Sequence, residues 1–186
     1  MPRAGLSTVA VVDAAVAIVD RQGLEGLTLA AVAERTGVAT PSLYKHVGGL
    51  AELRTLVGQR VLEEMTAQFT AHVLGHSGDK AIAALLHAYR AYAVAHPRRY
   101  AAMPADPLHD AVLRDAGARL LDVILAVLRG YGLHGAAAIH ATRCVRALAH
   151  GFASLEAAGG FGLPEDLDES YEQLISMYLA SLPREK

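Results

Sequence analysis

The sequence contains no tryptophan, a single cysteine and few aromatic residues, and each shortage narrows the kind of protein that it can encode. Hydrophobic residues make up 53% of the chain but aromatic residues only 5%, and alanine, leucine and valine supply most of the remainder. This composition favours helices over sheets. The lone Cys144 cannot form an intramolecular disulfide, which agrees with a reducing compartment.

Long apolar runs are also missing. No stretch of about 18 uncharged apolar residues occurs, and the amino terminus lacks a basic segment followed by an apolar one. We therefore expect a cytoplasmic protein with no membrane partner. The sequence further lacks a Gly-rich phosphate loop and a nucleophile elbow, which argues against an enzyme, and no cofactor is expected.

Basic charge is scarce in this sequence, whereas nucleic-acid-binding proteins are often basic overall. The formal net charge is −2, and residues 1–60 carry six lysine and arginine residues against five acids. Charge alone therefore does not predict DNA binding, and modest non-specific affinity is expected.

A local pattern over residues 28–47 nevertheless predicts two short helices joined at a glycine turn. Thr28 is placed to cap the first helix, and Gly37 to end it in the left-handed conformation. Thr40 is then the expected cap of a second helix, with Pro41 at its first position. Leu43 should face the core, while the outward set is rich in hydroxyls and donors suited to bases and phosphates: Thr40, Ser42, Tyr44, Lys45 and His46.

The rest of the chain predicts further helices, so the expected fold is all-α. A first helix over about residues 7–21 carries the apolar stripe Val9, Val12, Val16 and Val19. A long helix over residues 50–74 should join residues 1–49, the predicted helix-turn-helix domain, to residues 50–186, a helical domain for ligand binding and dimerisation. Later helices are expected at about 80–95, 97–103, 107–130 and 136–158, with a last one capped by Asp166 or Asp168.

Residues 29–38 and 40–47 resemble the tetracycline-repressor (TetR) family of transcription regulators, and the resemblance covers about residues 6–57. The run from His150 to Glu156, followed by Gly159-Gly160-Phe161, is similar to one carboxy-terminal domain type of that family. The resemblance implies an all-helical homodimer that binds a near-palindromic double-stranded DNA operator and leaves it when a small molecule binds. It also implies that DNA contacts come from Thr28, Thr40, Pro41, Ser42, Tyr44, Lys45 and His46.

One position departs from the family pattern. Many members carry a lysine aimed at a phosphate at the start of the fourth helix, where this chain has Leu50 after two glycines. The free amides of that helix start could still hold a phosphate.

Two further sites are predicted in residues 50–186. An apolar cavity for a small hydrophobic effector would be lined by Phe69, His87, Tyr89, Tyr92, Tyr100 and Met103, although core packing is the simpler role for each. A four-helix dimer interface would use Ala147, Gly151, Ser154, Leu155 and Ala158 together with Tyr171, Leu174, Ile175 and Tyr178.

Several alternatives remain open from the sequence. Arg143, Arg146 and His150 share a helical spacing that suits either an acidic ligand or ion pairs. His72 with His76, and His140 with Cys144, have the spacing of two metal ligands, but no third ligand stands at a recognisable distance, and no metal is expected. The competing functions are a small helical, possibly metal-dependent enzyme and a ligand-responsive activator of the same fold.

Overall fold

The computed structural model describes residues 6–183, and within that range it contains helices and turns but no strand. The α-helices are α1 (Thr8–Gln22), α2 (Leu29–Thr36), α3 (Thr40–Leu43), α4 (Leu50–Val73), α5 (Gly78–Ala95), α6 (Pro97–Ala101), α7 (Arg114–Arg129), α8 (Gly135–Ala157) and α9 (Leu167–Ser181). Short 3-10 turns occupy Leu24–Gly26 and Pro107–His109. The all-α prediction is confirmed. Of the helices between residues 6 and 183, none is long and apolar enough to span a membrane.

The chain divides into two compact units, and α4 and α7 each contribute residues to both. Unit 1 contains the chain through Glu63 together with His96–Gly117, and unit 2 contains Glu64–Ala95 and the chain from Ala118 onward. The functional division at residues 49 and 50 stays a prediction, because these units group residues by contact alone.

The core of unit 1 lies between α1, α2, α3 and the start of α4, and Ala102, which follows α6, closes part of it. Val12, Val16 and Val19 of the predicted stripe are buried, but Val9 is 61% exposed, so that part of the prediction is wrong. Val11, Ala15 and Ile18, which are 0–2% exposed, widen the buried face of α1 beyond the predicted stripe. Val9 lies in the first turn of α1.

The core of unit 2 is built by α5 packed along α8, with α9 against both helices. Its buried side chains include Leu85, Leu86 and Tyr89 of α5 and Val145 and Phe152 of α8, with Tyr171, Ile175 and Tyr178 from α9. Alternating small and large side chains allow these helices to interlock.

Capping explains where two of the later helices begin. The Asp166 carboxylate accepts the backbone N–H groups of Asp168 and Glu169 at 2.7 and 3.1 Å, so Asp166 is the cap of α9. The prediction of one helix over 107–130 is wrong, because a 3-10 turn precedes α7. The Asp110 carboxylate accepts the N–H groups of Val112 and Leu113 at 2.8 and 3.1 Å, which sets a new turn before Arg114.

Candidate nucleic-acid interface

The first helix of the helix-turn-helix in unit 1, α2, is capped at both ends. The Thr28 hydroxyl accepts the N–H of Ala31 at 3.1 Å and so begins α2. Gly37 ends α2 with φ 69°, a left-handed conformation that glycine adopts without strain, and the N–H of Val38 then donates to Ala33 O at 3.0 Å. Both predicted caps of α2 are confirmed.

The second helix begins one residue earlier than the sequence predicts. Ala39 is the residue before α3, with extended backbone, and Thr40 is already helical and caps nothing with its side chain. Pro41 therefore stands at the second position of the helix, where its missing N–H still costs no hydrogen bond. A further turn follows α3, in which the N–H groups of His46 and Val47 both donate to Leu43 O.

The outward side of α3 and the turn after it exposes the predicted DNA-contacting side chains. Leu43 and Val47 are 0% and 2% exposed in the core, whereas Tyr44 is 58% exposed. Thr28, Pro41 and Lys45 are also exposed, and partial exposure is found for Thr40, Ser42 and His46. An exposed tyrosine on a rigid turn has little packing role, so this surface is available to bind a partner.

The start of α4, where the sequence suggested that free amides could hold a phosphate, carries an acidic side chain. The Glu52 carboxylate accepts the N–H of Gly48 at 2.5 Å, and Leu50 is partly buried against the core of unit 1. A carboxylate at the third helical position resembles the acidic half of a capping box, but it accepts the N–H of the residue before the cap rather than that of the cap itself. Its negative charge therefore occupies the helix end that would otherwise favour a phosphate. The spacing of Glu52 from the glycine pair was the sequence signal for this contact.

Two ion pairs brace α1, the helix that supports this surface. Arg60 of α4 contacts Asp13 at 2.7 Å, and Arg99 of α6 binds Asp20 through both its Nε, at 2.9 Å, and its terminal nitrogen. The neighbouring Arg98 donates to the carbonyl of Arg21 in the last turn of α1. At the other end of α1, the Thr8 hydroxyl donates to His46 O at 3.3 Å, so the recognition turn is tied to the same helix.

In unit 2, two of the predicted effector-site residues are in ring contact, and a third, Tyr92, lies on α5 three residues after Tyr89. The rings of Phe69 and Tyr89 lie 5.5 Å apart between centroids, and the Tyr92 hydroxyl donates to Glu64 Oε2 at 2.7 Å. Phe69, Tyr89 and Tyr92 are 0–3% exposed. Glu64 is a polar partner that the sequence analysis did not identify, since a glutamate on a long helix carries no signal of what it faces.

Of the other three predicted effector residues, one faces α9 and two belong to unit 1. His87 does not join the aromatic cluster, because its Nε2 contacts Glu172 of α9 at 3.0 Å and its ring packs against Tyr171. Side chains two positions apart on a helix point to nearly opposite sides, and this separates His87 from Tyr89. Tyr100 and Met103 belong to unit 1, where Tyr100 is 6% exposed.

The run from His150 to Glu156, which resembles a known carboxy-terminal domain type, contributes Glu156 to a charge cluster around Arg90. The Arg90 guanidinium binds Glu156 through Nε and a terminal nitrogen at 2.6 and 2.8 Å, and Asp168 at 2.7 Å. It also lies over the rings of Phe152 and Tyr171, at 5.4 and 5.0 Å from their centroids. The hydrogen bond to Glu156 does most to raise the pKa of Arg90.

The predicted dimer residues fall into two groups. Ala147, Leu155 and Ala158 are exposed, and partial exposure is found for Gly151, Ser154 and Leu174. Tyr171, Ile175 and Tyr178 are only 0–5% exposed within the single chain, so assigning them to the interface is wrong. The Tyr171 hydroxyl donates to Leu86 O and that of Tyr178 to Ala141 O, which fixes both rings inward. Burial raises the pKa of Tyr178 to about 12.

Two family models match the chain. The model of "Bacterial regulatory proteins, tetR family" matches residues 11–53, and that of "Tetracyclin repressor-like, C-terminal domain" matches residues 82–178. An uncharacterised HTH-type transcriptional regulator of Bacillus subtilis, YobS, is 36% identical over 183 residues, which are 97% of this chain and 95% of YobS.

Solved structures give the same fold. A protein of unknown function from Rhodococcus sp. RHA1 aligns with a TM-score of 0.84 at 22% identity, over 99% of this chain and 100% of the other. The Streptomyces coelicolor TetR family protein ActR, in complex with (S)-DNPA, aligns with a TM-score of 0.71 at 19% identity, over 95% and 96% of the two chains.

Proposed function

This chain belongs to the tetR family of bacterial regulatory proteins and is a DNA-binding transcriptional regulator rather than an enzyme, and we propose that it is a repressor. In this proposal, a homodimer holds a near-palindromic operator in the cytoplasm, where bacterial DNA lies. A small hydrophobic effector then releases it from the DNA. The observation that carries the proposal is the exposed recognition surface of Tyr44 and Lys45 on a capped helix-turn-helix.

The recognition surface suits the major groove for reasons of chemistry. Lys45 supplies a cation for phosphate, and Tyr44 supplies a ring and a hydroxyl at the same edge. Thr40, Pro41, Ser42 and His46 would complete the contact to bases and backbone, and Thr28 would meet a phosphate at the start of α2. The rigid core beneath, with Leu43 and Val47 fully packed, would hold these side chains in register with the groove.

Tyr44→Ala or Lys45→Ala should weaken operator binding by roughly 1–3 kcal/mol, because each removes a side chain that contacts DNA and little of the core. Losing Lys45 should also reduce the dependence of binding on salt. Fluorescence anisotropy titrations of both variants would measure this. Lys80→Ala, an exposed lysine on α5, is the matched control and should bind as the wild type does. Wild-type affinity for both recognition variants would refute the assignment.

The effector site would be built around Phe69, Tyr89 and Tyr92 of unit 2, without His87, which contacts Glu172 instead. The paired rings of Phe69 and Tyr89 favour an apolar ligand, and the Tyr92–Glu64 hydrogen bond offers one polar group to it. The complex of ActR with (S)-DNPA, a relative in fold, makes a small-molecule effector a reasonable expectation for this chain.

The dimer would form through the outward faces of α8 and α9. Ala147, Gly151 and Ser154 are small residues that permit a close approach of helices, and Leu155 is 50% exposed beside them. Met177 of α9 is 74% exposed and Leu174 is partly exposed, so α9 adds apolar surface to the same association. A two-fold dimer would present two recognition surfaces to the two halves of a palindrome.

A further inference from the structure

The outward surfaces of α8 and α9 carry opposite charges. Helix α8 contains two arginines, Arg143 and Arg146, and one acid, Glu156, which is turned inward to Arg90. Helix α9 contains Asp168, Glu169 and Glu172 and no lysine or arginine. All of these residues except Glu156 are exposed, but Asp168 already binds Arg90 and Glu172 contacts His87, whereas Arg143 and Glu169 both stand on the outward surface. One helix therefore presents a basic surface and its neighbour an acidic one.

The two helices run antiparallel, so these charges lie at opposite ends of the pair. Late in α9, the Tyr178 hydroxyl donates to the carbonyl of Ala141, which is early in α8. At the other end, Asp168 and Glu156 share the guanidinium of Arg90. Arg143 lies 13 residues before Glu156, about 20 Å along the helix at 1.5 Å per residue. Arg143 is therefore too far from Glu169 of its own chain to pair with it.

We propose that these charges select a second copy of this chain in one orientation, with Arg143 of each chain opposite Glu169 of the partner subunit. This inference rests on the proposed dimer and names what makes it specific. A two-fold axis midway between the two charged regions would pass close to Ala147 and Gly151. The same axis relates each basic region to the acidic region of the other chain, so two charge contacts form at once.

The surface between the two charged regions is suited to that approach. A Cβ placed on Gly151 would meet no atom of its own chain within 4 Å, so nothing in the single chain covers this point. Leu155 and Met177, at 50% and 74% exposure, supply apolar surface beside it. Charge at the edges with small and apolar residues in the middle is the usual organisation of a specific interface.

Arg90 holds the acidic end of this surface in place before association. Its side chain is 14% exposed and binds both Glu156 at the end of α8 and Asp168 at the start of α9. Asp168 is next to Glu169, so the carboxylate that would meet the partner stands on a fixed turn. A surface fixed in advance loses less conformational freedom when it binds.

The test is a charge exchange on the full-length protein. Arg143→Glu and Glu169→Arg are made separately and together, and the dimer dissociation constant is measured by sedimentation and by light scattering. Each single variant should dimerise roughly tenfold or more weakly, because like charges then face each other across the interface. The double variant, and an equal mixture of the two single variants, should regain dimers, because every contact is again between opposite charges.

Matched controls are Lys80→Glu and Asp122→Arg, which change the same charges at exposed positions on α5 and α7 and should leave the dissociation constant unchanged. Single variants that dimerise like the wild type, or a double variant that stays as weak as the single ones, would overturn the pairing while the proposed dimer stands. A monomeric wild type would instead overturn the proposed dimer itself. Circular dichroism of each variant shows whether a loss of dimer reflects a loss of fold.

Discussion

At the scale of single residues, Glu52 has the most informative contact near the candidate DNA surface. Its carboxylate accepts the N–H of Gly48 and so stabilises the start of α4, but it places a negative charge where the helix end would attract a phosphate. The sequence lacks a lysine at this point and carries an acid at the third helical position, which is a signal for such a contact. Whether that carboxylate turns back onto the glycine pair depends on the local backbone, which the spacing alone does not fix.

Replacing this carboxylate should strengthen DNA binding. Glu52→Gln keeps a side-chain oxygen that can accept the Gly48 N–H but removes the charge, so operator affinity should rise roughly two- to fivefold at low salt. The gain should shrink as salt rises, because the repulsion is screened. Glu63→Gln, at an exposed position further along α4, is the control and should change nothing. An unchanged or lower affinity of Glu52→Gln would show that no phosphate approaches this helix end.

At the scale of helices, the caps were the most predictable features and the exact starts the least. Thr28, Gly37 and Asp166 act as the sequence predicts, because each residue type satisfies a specific orphan group at a helix end. Helix α3 begins one residue earlier than predicted and α7 seven residues later. Both predictions placed the start at a proline, whereas the observed starts follow from the backbone at Ala39 and from the turn made by Asp110. Which side of α9 faces inward also could not be settled by periodicity, because Tyr171 and Tyr178 suit a core or an interface equally well.

The turn between α2 and α3 gives a direct test of one such cap. Gly37 has φ 69°, which a residue with a Cβ adopts at a cost, so Gly37→Ala should lower the free energy of unfolding by about 1 kcal/mol. Gly162→Ala is the matched control, because Gly162 has ordinary φ and open space for a Cβ, and it should be neutral. Chemical denaturation of both variants measures the difference. Equal stability of the two would mean that the left-handed turn carries no strain.

The outward face of α8 can be tested without disturbing the core. Gly151→Arg adds a long charged side chain where the single chain leaves space, so the variant should fold but lose dimers and, with them, operator binding. Ala126→Arg at an exposed position on α7 is the control and should keep both properties. Light scattering gives the mass in each case. A Gly151→Arg variant that remains dimeric would place the interface elsewhere on the molecule.

At the scale of the whole molecule, the two compact units do not follow the predicted division at residues 49 and 50, because unit 1 also contains His96–Gly117. The helix-turn-helix was recognisable because cap, turn glycine and buried side chains occur at fixed spacing. The effector residues were not, since an aromatic residue on an amphipathic helix has the same sequence pattern whether it lines a cavity or fills a core. His87 is a different case: it lies two positions from Tyr89, so helical spacing alone already turns it away from that ring, and it pairs with Glu172.

In the proposed dimer, a ligand would release DNA only if it binds the non-operator conformation more tightly. Hydrophobic metabolites that raise the melting temperature of the protein should therefore also lower its operator affinity. Tyr92→Phe removes the hydroxyl that binds Glu64 and should weaken both responses to a confirmed effector together. Tyr131→Phe, which removes a hydroxyl bound to Asp79, is the control. If Tyr92→Phe changes neither response, the effector site does not include this residue.

Selection from random duplex DNA tests the central claim most directly. The purified wild type is incubated with a pool of random sequence, and bound duplexes are recovered and sequenced over several rounds, beside a Tyr44→Ala/Lys45→Ala variant. We predict that the wild type enriches one inverted repeat whose half-sites are about one or more helical turns apart, and that the variant enriches it weakly or not at all. Recovery of no common sequence by the wild type, or of the same repeat equally by both proteins, would contradict recognition of an operator through this surface.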